Sequence, residues 1–189
     1  MSKLTQKAMA QAVTDLLQTR TLDKITIKDI TDACELTRNT FYYHFHDVYD
    51  LLRWLFEEKS REILERYEAQ DDWEGGLEET LHYLYDNRTM FMNIYESISD
   101  DLLFRFINDV MYQHAVIIVA KYTRDKKYSD YAIQTAATFY MDAAVGDVFQ
   151  WISGGMQRTP EHLAQVYNVL FHGTIQALLD SAEEAAKIK

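Results

Sequence analysis

The stretch Asp29-Ile30-Thr31-Asp32-Ala33-Cys34-Glu35-Leu36-Thr37-Arg38-Asn39-Thr40-Phe41-Tyr42-Tyr43-His44-Phe45 decides how this chain is read. Just upstream, Thr26 is a good N-cap, with Asp29 at the third helical position close to a capping-box arrangement. Ile27, Ile30 and Ala33 then give a short helix. Cys34-Glu35-Leu36 makes a tight connection, and Thr37 caps a second helix covering Arg38 to His44. Two short helices joined in this way form a helix-turn-helix. The second helix of such a pair enters the major groove N-terminus first. Arg38, Asn39 and Tyr42 are therefore the candidates for reading bases: Arg pairs bidentately with guanine, Asn with adenine, and a Tyr ring packs on a thymine methyl. Thr26, Lys28, Thr37, Thr40, Tyr43 and His44 are of the type that donates to phosphates and sets register. A plain polar helix face has the same spacing, so geometry alone leaves both readings open.

Upstream, Leu4, Ala8, Ala12, Val13, Leu16 and Leu17 predict a helix over about 4–20 with one apolar face. Downstream, Asp47 is the next N-cap and opens a long helix fading near Tyr67, its buried side marked by Val48, Leu51, Leu52, Leu55, Phe56, Ile63 and Leu64. Residues 71–76 are the clearest break. Further helices are expected at about 77–87, 90–97, 101–122, 130–153 and 160–183. The last is announced by Thr159-Pro160-Glu161, a cap followed by proline at the first helical position. Six Gly and one Pro in 189 residues leave too few turn residues for a strand-rich fold. The expected class is all-α, with a three-helix head at 1–46 and a larger helical domain at 47–189.

The net charge of −11 is unevenly placed. Residues 1–53 carry seven Lys/Arg and seven Asp/Glu, so the whole excess of acid lies in residues 54–189. An acidic body discourages indiscriminate binding to polyphosphate, while a neutral head can still approach a groove. A neutral head is nevertheless not the basic footprint usual in nucleic-acid binders.

In order and spacing, the segment from Asp29 to Phe45 resembles the helix-turn-helix signature of the TetR/AcrR family of bacterial regulators. In that family a Thr-Phe-Tyr-x-x-Phe core ends the recognition helix and a helix with paired leucines follows, like Leu51-Leu52 here. The resemblance covers roughly residues 4–56. Phe139-Tyr140, Trp151, Gly154-Gly155 and Thr159-Pro160-Glu161 are similar to the C-terminal pattern of one subgroup, which includes the regulator of dihydroxyacetone kinase operons. Three departures stand out. Glu35 replaces the usual turn Gly, Asn39 stands where many members have Gly, and Val48 stands where many have a phosphate-binding Lys. The resemblance implies a homodimer paired through its last two helices, bound to a palindromic double-stranded DNA operator. Leu163, Val166, Val169, Leu170, Ile175, Leu178 and Leu179 give the final helix a wide apolar face, which either serves such pairing or packs only inside its own subunit.

The body is rich in aromatics and methionines, which either pack as core or line an effector pocket. Trp54, Phe91, Tyr95, Phe106, His114, Tyr140 and Trp151 are the pocket candidates. The expected function is a DNA-binding transcriptional regulator controlled by a small molecule. The alternatives are control by a partner protein docking on the C-terminal domain and, remotely, an all-helical enzyme. No P-loop, HExxH or nucleophile motif is present, so no enzyme, cofactor or metal is expected. His44 and His46 lack companions at zinc spacing, and Cys34 has no basic neighbour in sequence to activate it. No apolar run approaches the roughly 20 residues of a membrane span, and the first residues lack a signal-peptide core. A cytoplasmic location is the expectation.

Overall fold

Threonine caps set the helix boundaries of the head. In the computed structural model, which describes residues 3–68, 72–97, 105, 107, 108, 115, 118, 119, 121–123 and 128–188, α1 spans Lys3–Leu17. A 3₁₀ turn at Leu22–Lys24 leads to α2, Ile27–Ala33. The Thr26 hydroxyl accepts from the Asp29 amide at 3.2 Å, and the Asp29 carboxylate accepts from the Thr26 amide at 2.8 Å, completing the capping box. Thr37 caps α3, Arg38–His44, by accepting from the Thr40 amide at 3.1 Å.

Between α2 and α3 the chain leaves the helix by a Schellman closure. The Leu36 amide donates to the Thr31 carbonyl at 2.8 Å and the Glu35 amide to the Asp32 carbonyl at 3.4 Å. The residue between cap and closure must be left-handed, and Glu35 has a φ of 55°. The same closure ends the helix Asp130–Ser153, where Gly155 takes that place at φ 78°. Glu35 therefore bears a Cβ penalty that Gly155 avoids.

The α1 face differs from expectation. Leu4 is 77% exposed and Ala8 is exposed, while Met9, Ala10, Ala12, Val13 and Leu17 are buried. At 3.6 residues per turn, Leu4 stands about 180° around the helix from Val13, so the two do not share a face. In α2, Ile30 and Thr31 are buried but Ala33 is exposed.

The long helix α4 spans Val48–Glu68. Asp47 caps it, accepting from the Asp50 amide at 2.8 Å, and Asp50 accepts from the His46 amide at 3.0 Å. Helix α5, Trp73–Asp86, starts four residues before the expected position, capped by Asp72. Gly75 and Gly76 are not a break but a site of close packing. A Cβ on Gly76 would stand 3.3 Å from Cβ of Tyr67 on α4. Helices α6, Arg88–Tyr95, α7, Asp130–Ser153, and α8, Pro160–Ala185, follow. The helix expected over 101–122 lies largely outside the described residues; Arg105, Ile107, Asn108, Ala115, Ile118, Val119 and Lys121 are helical.

One apolar cluster runs from the head into the body. It joins Val13, Ile30, Phe41 and Phe45 to Leu51, Leu52, Phe56, Ile94, Val148 and Trp151. A second cluster holds the far end together through Tyr128, Ala136, Phe171, Ile175 and Leu179. Polar ties reinforce the junction. Asn93 of α6 donates to the Leu17 carbonyl at 2.7 Å, and Ser97 donates to the Asp23 carboxylate at 3.2 Å. Lys3 pairs with the buried Glu58, which also meets Arg61, and Lys7 pairs with Glu62 at 3.3 Å.

Replacing Glu35 by Gly should remove the left-handed strain and raise unfolding stability by about 0.5–1 kcal/mol. Urea denaturation of the two proteins measures the difference.

Candidate nucleic-acid interface and cavity

Helix α3 is held by two rings. Phe41 is fully buried and Phe45 nearly so, with their centroids 5.8 Å apart, and Phe45 packs on Trp54 at 6.0 Å. Each residue turns the helix by about 100°, so burying this edge turns Asn39 and Tyr43 outward. Tyr43 is 67% exposed, and Tyr42, beside the buried edge, is also exposed. Arg38 and Asn39 lie in the exposed first turn. Thr26, Lys28 and Thr37 are exposed, and Thr40 is half-buried, its hydroxyl 2.9 Å from that of Thr37. Thr26 and Lys28 lie at the N-terminal end of α2, Thr37, Arg38, Asn39 and Thr40 at that of α3, and Tyr42 and Tyr43 further along α3.

His44 sits differently. Its Nε2 is buried and its ring packs edge-on against Tyr43 at 5.0 Å, so that nitrogen faces the protein. Val48 is half-buried against the core, which explains an apolar residue at the start of α4. The charges there are the carboxylates of Asp47 and Asp50. Cys34 is half-buried, its thiol 3.1 Å from the Ile30 carbonyl, and burial pushes its pKa up, away from a reactive thiolate. Among the described residues no three His, Cys, Asp or Glu side chains gather to hold a metal, and no helix is long and apolar enough to cross a membrane.

A cavity of about 720 Å³ lies among α4, α5, α7 and α8. Ile63, Leu64, Trp73, Leu77, Met141 and Phe171 give it apolar walls. At one side Arg158 donates to the Asp147 carboxylate at 2.8 Å, and the Tyr167 hydroxyl donates to its other oxygen at 2.7 Å. Burial raises the Asp147 pKa, but those two hydrogen bonds and the Arg158 charge outweigh it and hold the carboxyl below its ordinary range. Burial first, and then the hydrogen bond to Asp147, push the Tyr167 phenol upward.

Of the pocket residues expected from the sequence, Tyr140 lines this cavity. Trp54 packs on Phe45, Phe91 stacks on Phe56 at 5.4 Å, and Tyr95 meets Phe149 at 6.2 Å. Trp151 is buried, its indole donating to the Arg158 carbonyl at 2.9 Å. These four belong to the core that joins head and body, not to the cavity wall. Phe106 and His114 lie outside the described residues. Tyr67, Trp73, Asp147, Arg158, Tyr167 and Phe171 were not among the candidates. One signal could have found Asp147, because it interrupts the apolar run Ala143-Ala144-Val145-Gly146 and Val148-Phe149 on α7.

Because the Asp147 pKa is depressed, its contribution to stability is present above the ordinary carboxylate pKa and lost as pH falls through the lowered one. Asp147→Asn should cost about 1 kcal/mol at pH 7 and flatten the loss of stability below about pH 4. Thermal melts at pH 7 and across pH 2–4 measure both.

Comparison with known proteins agrees with this fold. A family described as transcriptional regulator C-terminal region matches residues 71–173. The HTH-type dhaKLM operon transcriptional activator DhaS of Lactococcus lactis subsp. lactis is 29% identical over 136 residues, covering 69% of this chain and 67% of that protein. A solved structure of a dihydroxyacetone kinase operon activator DhaS superposes with a TM-score of 0.76 at 24% identity, over 93% of this chain and 98% of that one. A crystal structure of a TetR transcriptional regulator from Streptococcus agalactiae 2603V does so with a TM-score of 0.58 at 21% identity, over 89% and 93%.

Proposed function

Since the chain belongs to the TetR family of transcriptional regulators, we propose that it works as a homodimer on a palindromic operator, under the control of a small molecule held in the cavity. In this reading residues 1–46 read DNA in the cytoplasm, and residues 47–189 pair the copies and bind the effector. The observation that carries it is α3, which buries Phe41 and Phe45 and thereby offers Arg38, Asn39, Tyr42 and Tyr43 to a groove. Arg38, Asn39 and Tyr42 read bases. Thr26, Lys28, Thr37, Thr40 and Tyr43 hold phosphates, and His44 acts from beneath them by supporting the Tyr43 ring.

Pairing through α7 and α8 is supported by what those helices leave uncovered. Val169 is 74% exposed, Phe139 61% and Leu170 56%. Gly146 and Gly173 lie within the same helices, and a Cβ on either would meet open space inside the subunit. A mid-helix glycine costs about 0.5–1 kcal/mol relative to alanine, and nothing among the described residues of this chain requires either one. Close approach of a second copy does. The cavity favours a small effector over control by a docking protein, because a closed core would have left no room for one.

Arg38→Ala combined with Tyr42→Ala should weaken specific operator binding by at least about 100-fold, since each base contact contributes roughly 1–3 kcal/mol and the dimer makes it twice. DNase footprinting on the DNA flanking the gene, with sedimentation to verify the dimer, tests this; an undiminished footprint rejects the assignment. Gly173→Leu should leave the fold and its melting intact yet raise the dimer dissociation constant at least about tenfold by keeping the helices apart. Sedimentation equilibrium over a range of chain concentrations reads that change.

A further inference from the structure

The cavity wall has two properties that together restrict what can occupy it. The first is that, among the described residues, its polar side chains are already engaged. Asp147 is shared by Arg158 and Tyr167, and the Thr80 hydroxyl donates to the Gly76 carbonyl. The Tyr140 and Thr174 hydroxyls bond to each other across α7 and α8. Tyr67 bonds to Glu79, Asp72 caps α5, and Lys121 also has an interaction partner. The charges on the wall among the described residues, those of Asp72, Asp147, Lys121 and Arg158, cancel in number. A small polyol would lose its water here and find few groups free to replace it. A cavity of about 720 Å³ is also sized for a far larger molecule than a triose.

The second property is where the cavity opens. Four of its lining residues are exposed: Phe139 and Ala143 on α7, Leu170 and Thr174 on α8. Each pair is spaced by four residues, so the two helices present adjacent edges of one mouth. Three of the four carry no polar side-chain atom, and none is charged. Val169, next to Leu170 but absent from the wall, continues the apolar strip outward. Gly146 and Gly173 lie on the same two helices, three residues beyond Ala143 and Leu170. The surface that frames the mouth is therefore the surface that α7 and α8 offer to a second copy.

We propose that the cavity takes a largely apolar, uncharged molecule, and that a second copy of the chain closes its mouth over Phe139, Ala143, Leu170 and Thr174. The site is then incomplete in a single chain, and occupancy and pairing are linked, each strengthening the other. This rests on the homodimer reading above. It goes further in placing the effector at the junction of the two copies and in fixing its chemical class.

The neutral fluorophore N-phenyl-1-naphthylamine serves as the probe, titrated into the full chain while sedimentation velocity reports the oligomeric state. The dimer should bind it, with dihydroxyacetone at millimolar concentration failing to displace it. Ala144→Phe, which fills the cavity from α7, should abolish binding while leaving the dimer. Val169→Glu, which alters the strip but not the wall, should give a folded monomer that binds about tenfold more weakly, the loss expected from leaving roughly 60 Å² of apolar ligand uncovered. Wild-type chain diluted below its dimer dissociation constant should show the same weakening, which keeps the test valid if Val169→Glu does not fold. Equal affinity in monomer and dimer overturns the shared mouth but leaves the homodimer reading intact. A dimer that ignores the probe, or that releases it to dihydroxyacetone, overturns the ligand class. A chain that is monomeric at every concentration overturns the homodimer reading and the shared mouth with it.

Discussion

The burial of Phe41 governs both the orientation of α3 and the unity of the molecule. A seven-residue helix has almost no stability of its own, since two turns scarcely offset the cost of nucleation. Phe41 supplies what the helix lacks by entering an apolar cluster that also contains Val13 of α1, Ile30 of α2 and Leu51 and Leu52 of α4. The ring thus connects all four helices. It also sets the rotation of α3 about its axis, and hence which side chains reach solvent. Polar residues on a short helix become a reading surface only when something apolar prevents that helix from turning, and Phe41 with Phe45 does so.

Charge plays a smaller part in the head than its function would suggest. Lys3 and Lys7 are held against α4 by Glu58 and Glu62, and Arg20 lies 3.6 Å from Asp29. These cations hold the head to the body or support its caps, which leaves Lys24, Lys28 and Arg38 facing outward. Exposed pairs of this kind contribute little to stability, typically about 0–1 kcal/mol. The Lys3–Glu58 contact is different, because Glu58 is buried and its removal from water must be compensated.

The head was legible in the sequence and the cavity was not, for physical reasons. Thr26, Asp29 and Thr37 announce helix ends through local hydrogen bonds, and local chemistry is readable residue by residue. Glu35 stands out because the family that the head resembles usually has Gly in that turn, and its φ is indeed left-handed. The body failed in two ways. Gly75 and Gly76 look like a break in one dimension, but in three they are where α5 lies against Tyr67. Trp54, Phe91, Tyr95 and Trp151 have the composition of a pocket, yet their rings fill space and leave none. A cavity is bounded by edges of several helices far apart in sequence, so no periodicity marks it. Tyr140 came from that reading, whereas Trp73 and Phe171 needed the fold.

The length of α4 has a dimensional consequence. Its first turns sit in the cluster with Phe41, and its last turns contribute Ile63, Leu64 and Tyr67 to the cavity wall. Twenty-one residues make a rod of about 30 Å, so a 5° tilt pivoted at the wall sweeps the far end through about 2.6 Å. In the homodimer proposed above, two such rods related by a two-fold axis would, by opposed sweeps, change the separation of the paired α3 helices by about 5 Å. That exceeds the roughly 3.4 Å rise between successive base pairs. A lever of this length can put two reading surfaces out of step with B-form DNA without unfolding a single turn.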